Sequence, residues 1–498
     1  MAYSVFPEND FPARDGRSSV HGEPSGSITT QSSALGVSLE RVLLIGIAGT
    51  GWRGMARILS QRGVRVSGSE ASSSPTSDSL RRGGVQCEIG HRGDNLPPKT
   101  ELVVASAAIG DDNPEMRAAR DRGIPVLKYA QLLGRQMAEK QGVGIAGTHG
   151  KTTTTAMVSH VLVEDGQDPS FIVGGDCPGM GGSARWGNGP LLVAEACEFD
   201  RSFLNLRPQH AIVTNIEEEH LDYFQSLRDI QSAFADFVGH LPDDGFLVLN
   251  ADDARSRGLS EYAPSKVGRF SMRKRGGDWW ARDVRADGGG VAYTAVCRTG
   301  ETVDIRLRIP GIHNVKNSLA VIVLMHHLGL SLESIALGLG TFGGVNRRFE
   351  VLTDEPFVIV DDYAHHPTEI EAALGAARQV YPEARLRAVF QPHQYSRTAA
   401  FLEQFSSVLS SADEVIVTEV FAARDTEQDR ASINSRVLVD HINGRGGNAS
   451  YAPSFDFVEA HLEQTGEPRD VVLCMGAGSV TQLAHQLAGA FRLTEACE

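Results

Sequence analysis

The sequence predicts an α/β protein of several domains, and three observations carry that prediction. Apolar runs of strand length alternate with helical stretches along most of the 498 residues, a pattern that marks parallel sheets covered by helices. Two glycine-bearing loops, in RVLLIGIAGTGWRGMARIL and in VGIAGTHGKTTTTAM, each stand between an apolar run and the start of a helical pattern. The alternation breaks only between about 265 and 310, where VAYTAVC and VDIRLRI read as a small antiparallel patch, and restarts after VNRRFE.

Taken in order, residues 1–38 are rich in Ser, Gly, Pro and acidic residues and bury too little apolar surface to order themselves, so a disordered tail is expected. A first unit, 39–138, holds RVLLIG, VRVSGS, VQCEIG, ELVVASAAI and IPVLK. A second, 139–345, opens with VGIAG and continues through PLLVAEA, HAIVTNI and GFLVLN to the antiparallel patch. A third, 346–498, carries FVIVDDY, RLRAVFQ, DEVIVTEV and DVVLCMG. At roughly 150 residues per domain the length has room for three or four such units.

Charge and composition exclude several classes. Lys plus Arg number 47 against 62 Asp plus Glu, a net −15, which argues against broad binding to nucleic acid or an anionic membrane. The six cysteines form no CxxC pair and read as free thiols in a reducing compartment. No apolar run approaches the ~18–20 residues of a membrane span, and the N-terminus has no basic region followed by an apolar core. A cytoplasmic protein is expected.

In the first loop Gly49, Gly51 and Gly54 fit GxGxxG, with Glu70 closing the following strand. A Rossmann-type turn, a nicotinamide dehydrogenase and a merely tight strand-to-helix turn all fit this stretch. The second loop says more: Gly147 and Gly150 bracket it, Lys151 can reach terminal phosphates, and Thr152 has the hydroxyl that such loops place on magnesium. It departs from the usual pattern in having Ile145 where the first glycine would stand. The next strand ends in VAEACEFD, with Glu195, Glu198 and Asp200 at a carboxyl edge, and TNIEEEHLDYF brings His220 to the same edge. Singly, Glu195 fits a solvated strand end and His220 a capping or packed residue. Three such strand ends in succession fit a nucleotide and metal cleft.

The succession GTHGKTTTT, EACEFD, TNIEEEHLD, GIHNVKNSLA, RRFE, DDYAHHPTEI and FQPHQYSRT resembles the Mur ligases of peptidoglycan synthesis, from residue 41 to about 490. The resemblance implies a Rossmann-like UDP-sugar-binding domain (39–138), a central P-loop ATPase domain with a parallel sheet plus the antiparallel patch (139–345), and a C-terminal Rossmann-like domain closing over ATP and amino acid (346–498). Within the family the likeness leans to members that join L-alanine to the lactyl carboxylate of UDP-N-acetylmuramate. It implies ATP and Mg2+ as cofactors, an acyl-phosphate intermediate, ADP and phosphate as products, no nucleic-acid or membrane partner, and a monomer or weak homodimer.

Residue by residue, the resemblance implies that Gly147, Thr148, His149, Gly150, Lys151, Thr152 and Thr153 cradle ATP. It gives Thr152 and Glu195 to magnesium and His220 to a second metal ion. His313, Asn314 and Asn317 would lie beside the nucleotide, Asn317 as the adenine contact, although His-Asn would also serve as a plain helix cap. Arg348 and Asp362 would contact ATP phosphate and ribose. Tyr363, His365, His393 and Arg397 would flank the amino acid, and Gly49, Gly51 and Glu70 the UDP-sugar. Departures from the family pattern are Ala48, Trp52, Glu70, Cys197, Phe199 and Gln394. A recycling ligase that adds a whole tripeptide and a non-catalytic nucleotide-binding regulator are the alternatives; FQPHQYSRT and VFAARD favour the alanine branch.

Overall fold

The computed structural model describes residues 39–49, 51–106, 109–274 and 276–495; the expected disordered tail lies outside them. Three sheets follow one another along the chain. The first contains β1 (Arg41–Ile45), β2 (Arg65–Glu70), β3 (Gln86–Ile89), β4 (Leu102–Ala105) and β5 (Val126–Lys128), in the order β3-β2-β1-β4-β5 and parallel throughout. The strand order reverses between β1 and β4. The first glycine loop leaves β1 at that point, where open α/β sheets form their ligand crevice.

The central sheet has ten strands: β6 (Gln141–Ala146), β7 (Ser170–Ile172), β8 (Ala184–Arg185), β9 (Leu191–Glu195), β10 (His210–Val213), β11 (Phe246–Asn250), β12 (Lys266–Ser271), β13 (Trp279–Asp287), β14 (Gly290–Cys297) and β15 (Thr302–Leu307). Their order is β15-β14-β13-β12-β11-β10-β6-β9-β7-β8. The antiparallel patch is β13–β15, continuous with the parallel sheet and not a separate layer. It begins later than the alternation suggests, because β12 pairs parallel with β11. Alternation reports one-sided cover, here by the helix Ile312–His327, and is silent on strand direction.

The helix Lys151–Glu164, which opens at the second glycine loop, has no polar face: residues 152 through 162 are all buried. It lies against the sheet on one side and the helices Ile312–His327 and Leu332–Thr341 on the other. Burial on all sides removes the helical period from its sequence.

The third sheet comprises β16 (Glu350–Thr353), β17 (Val358–Asp362), β18 (Leu386–Phe390), β19 (Glu414–Val417), β20 (Ala449–Tyr451) and β21 (Val471–Met475), ordered β16-β17-β21-β18-β19-β20. Only the edge pair β16–β17 is antiparallel. Val358 and Val360 enter one apolar cluster and Ile359 another, so this sheet is covered on both faces by its own helices.

The first and central units are joined differently from the third. One apolar cluster runs from Val42, Leu44 and Met55 into Leu192, Phe203 and Phe237. Gly54 fits here because a Cβ would stand 3.0 Å from the Ala184 methyl, so this glycine brings its helix against the central sheet. Contacts of the third unit with the central one include polar bonds from Thr368 to Glu217 and from Arg424 to Asp222. Among the described residues no helix is long and apolar enough to cross a membrane, and Cys87, Cys177, Cys197, Cys297 and Cys474 are free thiols.

Candidate active site

The second glycine loop is shaped by two residues with positive φ. Gly147 has φ 130°, and a Cβ there would fall 2.0 Å from Thr214 Oγ1; Gly150, at φ 83°, caps the helix Lys151–Glu164. Both positions are strained for any residue with a side chain. The loop is then pinned to the end of β10: the His149 N–H donates to Asn215 Oδ1 at 2.9 Å, the Thr214 hydroxyl to the His149 carbonyl at 2.6 Å, and the Glu217 N–H to Thr148 Oγ1 at 2.8 Å. Thr153 is buried beneath the loop.

Lys151 folds back over this loop. Its Nζ donates to the carbonyls of Gly147 and Thr148 at 2.5 and 3.0 Å and stands 2.9 Å from Glu198 Oε2. Burial works against the ammonium, but Glu198 and neighbouring negative groups raise its pKa, so it stays charged. Glu198, itself buried, is the one acid of VAEACEFD that reaches Lys151. Asp200 sits in a kinked turn at φ 54°.

Glu195 and Thr152 meet at the Gly174–Gly175 turn. The Gly174 N–H donates to Glu195 Oε1 at 2.5 Å, and a Cβ on Gly175 would lie 3.2 Å from Thr152 Cγ2. A hydroxyl and a half-buried carboxylate at one edge make an oxygen donor set that suits magnesium. His220 offers nitrogen instead. Burial pushes its pKa down against the pull of Glu198 and Glu219, and its buried Nδ1 has no hydrogen-bond partner. A neutral imidazole with an unused nitrogen fits a metal ion. Phe199 packs its ring 5.0 Å from that of His220 and is itself covered by Arg424, which accounts for an aromatic residue at this position. Nothing in the structure explains Cys197.

His149 stands between two acids. Its Nε2 lies 3.4 Å from Glu217 Oε2, an ion pair without hydrogen-bond geometry, and its Nδ1 is 3.2 Å from Glu369 Oε1 of the third unit. Burial lowers its pKa, and the Glu217 and Glu369 carboxylates overcome that to raise it to about 9. Glu217 in turn is held down to about 2, His149 outweighing burial. Protonated His149 therefore links the loop to the third unit. A raised folded pKa stabilises fully below the ordinary 6.5 and loses that contribution as pH climbs through about 9. Thermal unfolding followed from pH 6 to 10 should show a loss of stability that runs from about pH 6.5 to about pH 9 and that His149→Asn lacks.

The segment GIHNVKNSLA does not cap its helix through His313 or Asn314. Gly311 is the N-cap, without a side-chain bond, and Asn314 Nδ2 donates back to the Pro310 carbonyl at 2.7 Å. Asn317 bonds Asn314 at 3.2 Å and faces the second loop, with Oδ1 2.7 Å from where a Gly150 Cβ would stand. Burial, then Lys316 and Arg348, push His313 down to about 4, so its ring is neutral at pH 7.

From the third unit, Asp362 ends β17 with both carboxylate oxygens accepting backbone N–H groups, of Phe349 and Ala364, each at 2.7 Å. Burial raises its pKa to about 6, with Arg348 opposing. Arg347 and Arg348 lie over the Tyr363 ring at 4.8 and 5.0 Å. His365 Nδ1 is 3.0 Å from the Tyr363 carbonyl and 3.1 Å from Glu369 Oε2. Its ring stands 5.8 Å from that of His393, whose pKa burial and then His365 and Arg397 push down to about 3. Arg397 Nη1 donates to His393 Nδ1 at 3.0 Å, and Nη2 pairs with Glu219 of the central unit. Gln394 is buried, at φ 68°, with an amide nitrogen that has no partner.

The first glycine loop is a separate group. Glu70 Oε2 accepts the Ala48 N–H at 2.8 Å, so this acid braces the loop from β2. Trp52 is buried against Gly49 and meets Tyr129 edge-on at 5.0 Å, which explains a large aromatic residue there. A Cβ on Gly51 would lie 3.0 Å from the Tyr129 hydroxyl, whose pKa is raised by burial and then by Glu195. Tyr129 thus lies against the first glycine loop and within electrostatic reach of Glu195 at the end of β9. Sequence reasoning passed over Tyr129, Glu217, Glu219 and Glu369; the last three stand inside segments whose His and Tyr residues it did single out.

Comparison with known proteins finds family matches in all three units. The Mur ligase family catalytic domain matches residues 41–141, the Mur ligase middle domain 145–325, and the Mur ligase glutamate ligase domain 347–478. The UDP-N-acetylmuramate–L-alanine ligase of Acetivibrio thermocellus is 40% identical over 450 residues, covering 90% of this chain and 95% of the relative. The enzyme of the same name from Rubrobacter xylanophilus is 41% identical over 451 residues, covering 90% and 99%. A crystal structure of UDP-N-acetylmuramate–alanine ligase from Thermotoga maritima superposes with a TM-score of 0.79 at 28% identity, covering 91% of this chain and 99% of that one. A murein peptide ligase from Psychrobacter arcticus gives 0.68 at 25% identity, covering 91% and 98%. With the second glycine loop, the acid-bearing strand ends and the third unit all in the matched segments, the chain belongs to the Mur ligase family.

Proposed function

We propose that this protein is an ATP-dependent ligase that joins L-alanine to the lactyl carboxylate of UDP-N-acetylmuramate, in the cytoplasm. The observation that carries the reading is the approach of the third unit to the loops of the central one, where Arg397 pairs with Glu219 beside His220 and Glu369 meets His149 of the glycine loop that ends in Lys151. The high coverage of relatives named for L-alanine supports this substrate over the tripeptide taken by the recycling ligases.

The chemistry assigns a task to each group. A carboxylate is a poor electrophile because its leaving group would be oxide, so transfer of the γ-phosphoryl group turns that oxygen into phosphate. Negative charge gathers as the phosphoryl group moves, and Lys151 is set to balance it. Magnesium, when held by Thr152 and Glu195, supplies further charge neutralisation, and His220 would serve a second ion. The backbone around Gly147 to Thr153 cradles the phosphates, Asn317 and His313 border the nucleotide, and Arg348 and Asp362 complete its site from the third unit. Gly49, Gly51 and Glu70 form the UDP-sugar loop.

The amine of alanine must lose a proton to attack. His365 Nδ1 is engaged by Glu369 and the Tyr363 carbonyl, which leaves Nε2 to take that proton while Glu369 stabilises the imidazolium. Arg397 holds the alanine carboxylate, for which its planar donors are suited. Attack gives a tetrahedral intermediate that expels phosphate and leaves the amide. Incubation with ATP, magnesium, UDP-N-acetylmuramate and individual amino acids or the tripeptide, followed by mass spectrometry, should give the alanine adduct with one ADP and one phosphate per product. An adduct with the tripeptide alone, or ATP turnover without any adduct, rejects the reading.

A further inference from the structure

Arg397 is gripped from both units. Its side chain comes from the short helix Tyr395–Ala400, yet Nη2 pairs with Glu219 Oε1 in the loop that follows β10 of the central unit. Both side chains are 7% exposed. On the other edge, Nη1 donates to His393 Nδ1 at 3.0 Å and approaches the His393 carbonyl at 3.4 Å. The Glu219 oxygen also faces the His220 N–H at 3.3 Å, so one carboxylate serves the metal-facing loop and the arginine together.

We propose that Glu219 is a positioning residue for amino-acid capture, orienting Arg397 across the cleft so that its remaining N–H groups meet the carboxylate of alanine only when the third unit is closed. The inference rests on the proposed function in giving Arg397 the alanine carboxylate. A guanidinium carries five donors in one plane, and Glu219 and His393 engage only its two Nη groups, leaving Nε and the outward-facing hydrogens for a second carboxylate. A long flexible side chain held in advance loses less rotamer freedom when ligand arrives. The holding group belongs to the other unit, so the orientation exists only in the closed arrangement. Alanine affinity and closure are then coupled, each favouring the other by the same factor.

Two further features favour this assignment over a plain structural ion pair. Three other contacts already join the same two units, from Thr368 to Glu217, His149 to Glu369 and Arg424 to Asp222, so their approach does not need Glu219. The side chain of Glu219 also approaches from the side of His220, placing the paired guanidinium between the metal-facing loop and His393.

The test measures apparent KM for L-alanine, with saturating ATP, magnesium and UDP-N-acetylmuramate, in Glu219→Gln, Arg397→Lys and the double variant. Glu219→Gln should raise alanine KM by at least about tenfold, change the UDP-sugar KM less than about twofold, and lower turnover at saturating alanine much less than it raises KM. The double variant should be little worse than the poorer single one, because both remove the same oriented contact. Should Glu219→Gln prove unstable to urea, Glu219→Asp keeps the charge with a shorter reach and should give an intermediate KM. Unchanged alanine KM in a fully active background, or penalties that multiply in the double variant, overturn the inference alone. A fall in turnover with normal alanine KM also overturns it, assigning Glu219 to the metal loop. Absence of any alanine adduct from the unaltered protein overturns the proposed function and this inference with it.

Discussion

Lys151→Ala and Glu195→Ala are each expected to lower product formation by at least about 10²–10³-fold, equivalent to ~2.7–4 kcal/mol of lost transition-state stabilisation. The ammonium of Lys151 is held by two loop carbonyls and Glu198 within hydrogen-bond reach, so its charge is in place before any phosphate moves. Such a preset charge acts mainly on the transition state, where negative charge collects, and its removal should reduce kcat more than it raises KM. The two variants differ in their side effects. Lys151→Ala leaves the buried Glu198 carboxylate without its cation and should also cost stability, whereas Glu195 is half-buried and forms no salt bridge among the described residues. Glu195→Ala is therefore the cleaner probe. Urea midpoints and UDP-sugar affinity measured beside kcat separate the effects, and near-normal turnover in either variant would refute the placement of the phosphoryl-transfer site.

Glu414→Ala should destabilise the third unit by ~3–5 kcal/mol, the scale for breaking a buried charge pair from one side. Arg387 is fully buried inside β18. Its Nε stands 2.7 Å from Glu414 Oε2 without hydrogen-bond geometry, Nη1 is 3.4 Å from Asp470 Oδ2, and Nη2 donates to Thr465 Oγ1 at 2.6 Å. Removing Glu414 leaves the buried guanidinium with only Asp470 and Thr465 as partners. Replacing both partners, Arg387→Met with Glu414→Leu, should recover only part of the loss, since buried Asp470 then keeps Arg385 alone, at 3.8 Å. Urea unfolding of the third unit is the measurement. A loss below about 1 kcal/mol for Glu414→Ala, the value of an exposed pair, would mean that water reaches Arg387 in solution.

Much of the site was legible because its chemistry sits in short contiguous segments. Gly147, Gly150 and Lys151 lie within five residues, between a strand end and a helix start, and that local order is enough to suggest a phosphate loop. The roles of Asn314 and Glu70 were less legible. Asn314 looks like a helix cap in the sequence but turns its amide back to Pro310, because Gly311 is the N-cap and Asn314 falls inside the first turn. Glu70 looks like a ligand-facing acid, yet it accepts the Ala48 N–H and steadies the loop. Either residue has the right chemistry for both tasks, and only the direction of the side chain separates them.

Taken alone, the sequence determined the α/β class, the two glycine loops and the acid-bearing strand ends, each from periodicity or motif within a few dozen residues, while the family was legible as a resemblance carried by the order of seven motifs along the chain. Tertiary structure alone decided which charges meet. Lys151 finds Glu198 47 residues away, Arg397 finds Glu219 178 residues away, and His149 finds Glu369 220 residues away. Strand order and the approach of the third unit bring these groups together, and residue spacing carries no record of either. The same is true of the helix Lys151–Glu164: packed on every side, it has no polar face to betray its period, and its neighbours decided what its sequence could not display.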